Sequence, residues 1–301
     1  MGRALAIVVI LAGLVGAAAW FTAAEEAVAC AAGGAERIEY QYAELAGVDS
    51  ERNRLDVHAV PGARHCPVVL WVHGGSWQAG DKRSRSTGVK ADHYTSQGYV
   101  FVSTNYRLAS EDNEVRWPDF GLDIATAVDW VIANADRIGA DADHITLVGH
   151  SAGAHLVSVV ATNPELLANV GRDLDAVQCA VSLDSVTHDL TDPPPWEVDI
   201  IELGFPTLEQ KVDGSPSLQT TSMVDAASIL IVTRGRIERI DSSHRLALSV
   251  ERLGGSAEVV DVSPYDHGEV STMLGVAGES IITPVVDDFL DTCRSGAAPR
   301  G

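Results

Sequence analysis

The chain has 301 residues, 46% of them hydrophobic, with 42 acidic against 21 basic side chains, a formal net charge of −21 and a sequence pI of about 4.7. A chain of this length and apolar content can bury one large core, and its acidity excludes nucleic acid, whose phosphates need a basic surface. The same charge opposes docking on anionic lipid, so membrane contact is expected only through an N-terminal anchor, and a solvated surface on an exported or salt-tolerant protein is the plain reading, with an acidic binding face as the second.

Residues 1–29 read as a signal peptide. Arg3 precedes an almost unbroken apolar run over 4–21, and Ala27-Val28-Ala29 has the small-x-small form of a cleavage site. The run is close to bilayer-spanning length, so an uncleaved anchor is the second reading. Cys30 directly after Ala29 raises a lipid-modified terminus as a third, which Ala27 and the intervening Glu25-Glu26 disfavour. A secreted or cell-surface location is expected.

Residues 30–301 read as a single domain, since neither an internal repeat nor a low-complexity linker divides them. Strands are predicted over 38–42 and 55–60, as a hairpin around 47–53, then over 68–72 and 99–104. A helix starts at Pro118, with Leu122, Ala125, Val128, Val131 and Ile132 near helical spacing. The strand over 145–148 runs into a helix over 152–161. Strands over 180–183, 229–232 and 258–262 follow, and a helix over 281–290 closes the chain. Continuous apolar strands separated by helices predict an α/β fold, a mostly parallel sheet with helices on both faces. The segment 187–226 is the least regular, with Pro193-Pro194-Pro195, Trp196 and Gly214-Ser215-Pro216. It is expected either as a short cap insertion over the site or as a surface excursion.

The four cysteines, Cys30, Cys66, Cys179 and Cys293, lie far apart without a C-x-x-C pair, so no metal site is expected. An even number in an exported chain predicts two disulfides in one of three connectivities, with Cys30–Cys66 and Cys179–Cys293 preferred over the others. The alternative is free thiols buried as small apolar groups.

Ligands in such sheets bind beyond the carboxyl ends of the strands, and three motifs sit there. Gly149-His150-Ser151-Ala152-Gly153 is a G-x-S-x-G turn between a strand and a helix. A serine there stands exposed above the sheet, and the helix N-terminus offers a free N–H to a developing oxyanion. Ser151 is therefore predicted to be a nucleophile. His73-Gly74-Gly75-Ser76-Trp77 follows an earlier strand, where glycines let backbone N–H groups approach a substrate oxygen. Gly75, Ser76 and Ala152 are the expected donors, with Gly74 as alternate. Trp77 is expected to wall the substrate pocket or to pack in the core, and His73 and His150 to be turn-bound structural residues. His267, just after the last strand, is the expected base, and the adjacent Asp266 a solvent-facing neighbour.

These motifs, with Leu55-Asp56-Val57, Gly80-Asp81-Lys82-Arg83 and Asn105-Tyr106-Arg107-Leu108, resemble the α/β-hydrolase superfamily, in particular carboxylesterases of the hormone-sensitive-lipase-like and feruloyl/acetyl-xylan esterase groups. The resemblance covers about residues 55–290. It implies the α/β-hydrolase fold, ester hydrolysis without a cofactor, an ester substrate that is a small molecule or polymer-linked, and an Arg107–Asp123 pair bracing the sheet edge. It also implies the chain order serine, acid, histidine. The turn after 229–232 commonly reads Gly-x-x-Asp in such proteins. Three residues beyond Gly235 stands Glu238, the expected acid, with Asp241 as the alternate at an expected helix N-cap. The His-Gly-Gly-x-Trp form is also similar to kynurenine formamidases, so an amide hydrolase is a second reading, and a catalytically silent binding protein of the same fold a third.

Overall fold

The computed structural model describes residues 30, 34–220 and 226–295; the expected leader over 1–29 and the last part of the expected cap lie outside them. The described elements are, in chain order, β1 (Glu36–Gln41), β2 (Arg54–Ala59), β3 (Cys66–Val72), α1 (Arg85–Ser96), β4 (Val100–Thr104), α2 (Asp119–Ala133), β5 (Ala140–His150), α3 (Ala152–Thr162), β6 (Cys179–Leu183), α4 (Val198–Gly204), α5 (Leu208–Asp213), β7 (Ser228–Thr233), α6 (Ile237–Arg252), β8 (Ala257–Asp261), α7 (His267–Thr272) and α8 (Ile282–Arg294), with short helical turns between some of them. The eight strands form one sheet in the order β1-β2-β4-β3-β5-β6-β7-β8. The hairpin β1–β2 and the β2–β4 pair are antiparallel. All later pairs are parallel.

Side chains of a strand alternate between faces, and β3 shows both faces buried. Val68, Leu70 and Val72 enter one apolar core, where Phe120, Ile124 and Val128 of α2 and Leu156 and Val160 of α3 meet them. Val69 and Trp71 enter the other, against Ala91 and Tyr94 of α1 and Val286, Phe289 and Leu290 of α8. That is why these strands read as unbroken apolar runs rather than alternating ones. Two motifs of the family resemblance meet at the open edge. Arg83 donates to Asp56 through Nε at 2.6 Å, and Lys82 Nζ to Glu39 at 2.7 Å, tying the loop after β3 to β1 and β2.

The cysteines pair as Cys30–Cys66 and Cys179–Cys293, with Cα separations of 5.7 and 6.3 Å. The second bridge ties the start of β6 to the end of α8. Two boundaries differ from expectation. Strand β5 begins at Ala140, ahead of the expected 145, because Ala140 already registers with Cys66 of β3. Helix α6 begins at Ile237, so Asp241 lies within the helix and does not cap it.

Candidate active site

The end of β5, Ser151 and the start of α3 form a sharp turn. Ser151 alone separates the two elements, at φ 56° and ψ −120°, a strained region for a residue with a Cβ. Its N–H donates to Leu183 O at 2.9 Å, and its carbonyl accepts from His155 N–H at 3.0 Å. The flanking glycines are demanded by close backbone contact. A Cβ on Gly149 would lie 2.3 Å from Gly153 O, and one on Gly153 2.2 Å from Val72 O and 2.6 Å from His73 O. Since backbone on β3 cannot swing aside, Gly153→Ala is expected to destabilise the fold by about 3 kcal/mol. A urea midpoint close to wild type would contradict this.

His267 opens α7 and turns its ring to the serine. Its Nε2 lies 3.0 Å from Ser151 Oγ, and its Nδ1 lies 2.6 Å from Asp184 Oδ2. An ionised carboxylate only accepts, so Nδ1 carries the proton and the Nε2 lone pair faces the serine hydroxyl. The backbone of His267 is held as well. His150 Nε2–H donates to His267 O at 2.8 Å, and the two rings lie 4.6 Å apart. Burial, with repulsion from His267 adding to it, pushes His150 down to about 4, which leaves it neutral in this contact near neutrality. Asp266 is exposed and caps α7, accepting from Glu269 N–H at 2.8 Å.

The acid beside His267 is thus Asp184, and the expectation for Glu238 and Asp241 is corrected. Gly235, at φ 69°, turns the chain after β7. Helix α6 then starts at once, which leaves Glu238 in its exposed first turn and Asp241 exposed one turn on. Asp184 instead follows β6 directly. The register pairs His150 with Leu183, so Ser151 and Asp184 both stand one residue beyond adjacent strand ends. Asp184 N–H donates to Val232 O at 2.8 Å, and its φ of 52° is a left-handed conformation that aspartate tolerates better than most residues. Its side chain is fully buried. Burial pushes the carboxyl up, but the hydrogen bond from His267 and the charges of Arg239 and Arg234 outweigh it and hold Asp184 below the usual carboxylate range. The signal for it in the chain was an aspartate closing the apolar run 180–183, the next strand signal after the serine turn.

The loop after β3 passes beside Ser151. A Cβ on Gly74 would sit 2.8 Å from His150 O and 3.1 Å from Ser151 Cβ. Gly75, Ser76 and Trp77 run in succession through positive φ, at 123°, 57° and 59°. The loop is braced from behind, where His73 stacks on Tyr106 at 4.5 Å and Tyr106 O–H donates to His73 O at 3.1 Å. A cavity of about 20 Å³ beside Ser151 is lined by Ser76, Trp77, Ala152, Val186 and Glu197 among others. Trp77 borders this cavity and is 1% exposed, packed edge-on at 5.1 Å against both Phe205 and His155. Glu197 and Phe205 belong to the irregular segment after β6, which therefore reaches the site.

Arg107 pairs with Asp123 through Nε and Nη2, at 2.8–3.0 Å, and its N–H donates to the same carboxylate at 2.8 Å. The pair joins the loop after β4 to α2. Among the described residues, no three His, Cys, Asp or Glu side chains are grouped to hold a metal ion.

A parallel sheet with an antiparallel edge, a strained serine between β5 and α3, and a histidine after β8 define the class: the chain has the α/β-hydrolase fold. Within it, residues 55–186 match the BD-FAE family model. Esterase LipQ of Mycobacterium tuberculosis is 31% identical over 188 residues, covering 60% of this chain and 42% of that protein. The probable carboxylic ester hydrolase LipM of the same organism is 34% identical over 37% of this chain and 26% of its own length. The chain thus spans less than half the length of these curated relatives. Among solved structures, the hyperthermophilic esterase from Pyrobaculum calidifontis superimposes with a TM-score of 0.69 at 20% identity, over 92% of this chain and 90% of that one. Esterase B from Lactobacillus Rhamnosis does so with a TM-score of 0.68 at 22% identity, over 93% of each chain.

Proposed function

We propose that this protein is a serine hydrolase that cleaves carboxylic esters through an acyl-enzyme intermediate. The observation that carries this reading is the unbroken hydrogen-bonded line from Ser151 Oγ through His267 to the buried Asp184. His267 Nε2 removes the serine proton as Oγ attacks the ester carbonyl carbon. The carbonyl oxygen becomes an oxyanion on backbone N–H groups of the Gly75-Ser76 turn and of Ala152, which opens α3, and Ser76 and Ala152 both border the cavity. The protonated imidazole then gives its proton to the departing alkoxide. Water, deprotonated by the same nitrogen, releases the carboxylic acid and restores Ser151. Asp184 holds the imidazole tautomer throughout and stabilises the imidazolium. Trp77 walls the cavity, and the segment after β6 caps it. Two disulfides, the acidic surface and the apolar leader support an exported protein.

The test is labelling with a fluorophosphonate, followed by turnover of p-nitrophenyl esters beside an N-formyl aryl amide. The expected result is one label, on the peptide that contains Ser151, and faster turnover of esters. An unlabelled, folded protein would return the chain to the reading of a silent binding module. Preference for the formyl amide would keep the serine chemistry and change the bond.

A further inference from the structure

The turn after β7, where the acid was expected, carries two arginines that close on the acid from the neighbouring strand. Arg234 Nε donates at 2.7 Å to Asp184 Oδ2, the oxygen that also accepts from His267. Arg239, in the first turn of α6, donates through Nη1 to Oδ1 at 3.1 Å and to the Asp184 carbonyl at 3.3 Å. Both guanidiniums are mostly enclosed, with 19% and 12% side-chain exposure against none for Asp184. One buried carboxylate is thus shared between an imidazole and two permanent cations. Asp184, Arg234 and Arg239 together carry a charge of +1 before His267 takes a proton, so the imidazolium forms beside an excess cation. The remaining charged groups around His267 are Glu197 across the cavity, Asp266 and Glu269 in the exposed cap of α7, and Lys90, whose Nζ donates to Ser271 O at the far end of that helix. His150, whose ring lies tilted 4.6 Å from that of His267, contributes no charge near neutrality. Against the excess cation on the Asp184 cluster stand these carboxylates and the whole chain, whose charge of −21 favours the imidazolium at long range.

Resting on the serine-hydrolase reading above, we infer that Arg234 and Arg239 are positioning residues that hold the Asp184 carboxylate against His267 and place two permanent cations beside the imidazole it orients. The mechanism separates charge from geometry. The two guanidiniums act at contact distance inside the fold, where salt screens little, whereas the field of the surface carboxylates is screened beyond about 10 Å at 0.1 M salt.

The experiment is the pH dependence of kcat/KM for a p-nitrophenyl ester, whose acid limb reports the free enzyme's base, in wild type, Arg234→Gln, Arg239→Gln and the two Arg→Lys variants. Removing a cation eases protonation of His267. The acid limb of each glutamine variant is therefore expected to move to higher pH by about half a unit to one unit. The lysine variants keep the charge and lose the planar fork, so their limb stays near wild type while the plateau falls. Ser151→Ala runs beside them: residual activity there would remove the serine reading itself, whereas an inactive Ser151→Ala with unmoved limbs in the glutamine variants overturns only the arginine inference. Failure of the lysine and glutamine variants alike to fold would make both arginines scaffolding, and that also overturns it. Folding of the lysine variants alone would uphold the requirement for charge at Asp184.

Discussion

Ser151→Ala is expected to lower kcat for ester hydrolysis by about 10⁶-fold, and Asp184→Asn by about 10⁴-fold. Glu238→Gln and Asp241→Asn are expected to stay within about twofold, as exposed helix positions that touch nothing in the site. The asparagine effect follows from tautomer control. Asp184 Oδ2 can only accept from His267 Nδ1, which keeps the Nε2 lone pair on the serine 3.0 Å away. An amide nitrogen placed there would donate instead, turning the proton to Nε2 and leaving Ser151 without a base. The four variants, compared for kcat at saturating substrate with fluorophosphonate labelling alongside, assign the acid directly. A large loss in Glu238→Gln with little change in Asp184→Asn would return the acid to the turn after β7 and require a different arrangement of α6.

Removing the Cys179–Cys293 bridge by a double Cys→Ser substitution is expected to cost about 5 kcal/mol of unfolding free energy, the chain-entropy value for a closed loop of this size, whose ends are 114 residues apart. The loop encloses most of the site-bearing half of the sheet, from the start of β6 to α8, including Asp184, both arginines and His267. Gln178 Nε2 donates to Cys293 O at 2.7 Å beside the bridge, so a residual tie remains. Urea unfolding of the variant, and of wild type with and without reductant, measures the effect. A shift below about 1 kcal/mol would show that packing of α8 on β6 and β7 alone carries the closure.

Much of the site was legible in the chain because its parts are local. The elbow depends on two glycines, a serine and the strand-to-helix turn between them, all within five residues, and the close contacts of Gly149 and Gly153 show why no larger residue stands there. The Gly75-Ser76-Trp77 turn is equally local, a run of positive φ signalled by its glycines. His267 could be placed because only one histidine follows the last strand signal. Even the disulfide preference coincides with the observed pairs.

The acid could not be read in this way. Its role is a relation between strands, since Asp184 serves His267 only because β6 lies between β5 and β7, and the register sets its position level with Ser151. Counting three residues from Gly235 assumed that the turn after β7 supplies a carboxylate. That turn supplies cations to the carboxylate of its neighbour. Periodicity likewise marked 187–226 as irregular without showing that Glu197 and Phe205 come back to the serine. By itself, then, the sequence determined the strand-helix alternation and marked Ser151, its glycine frame and His267 as candidates, because short-range sterics and apolar patterning specify them. The tertiary structure alone decided which carboxylate completes the line and what surrounds it, because lateral strand order and register bring together groups 33, 50, 55 and 83 residues apart along the chain: Ser151, Arg234, Arg239 and His267, each measured from Asp184.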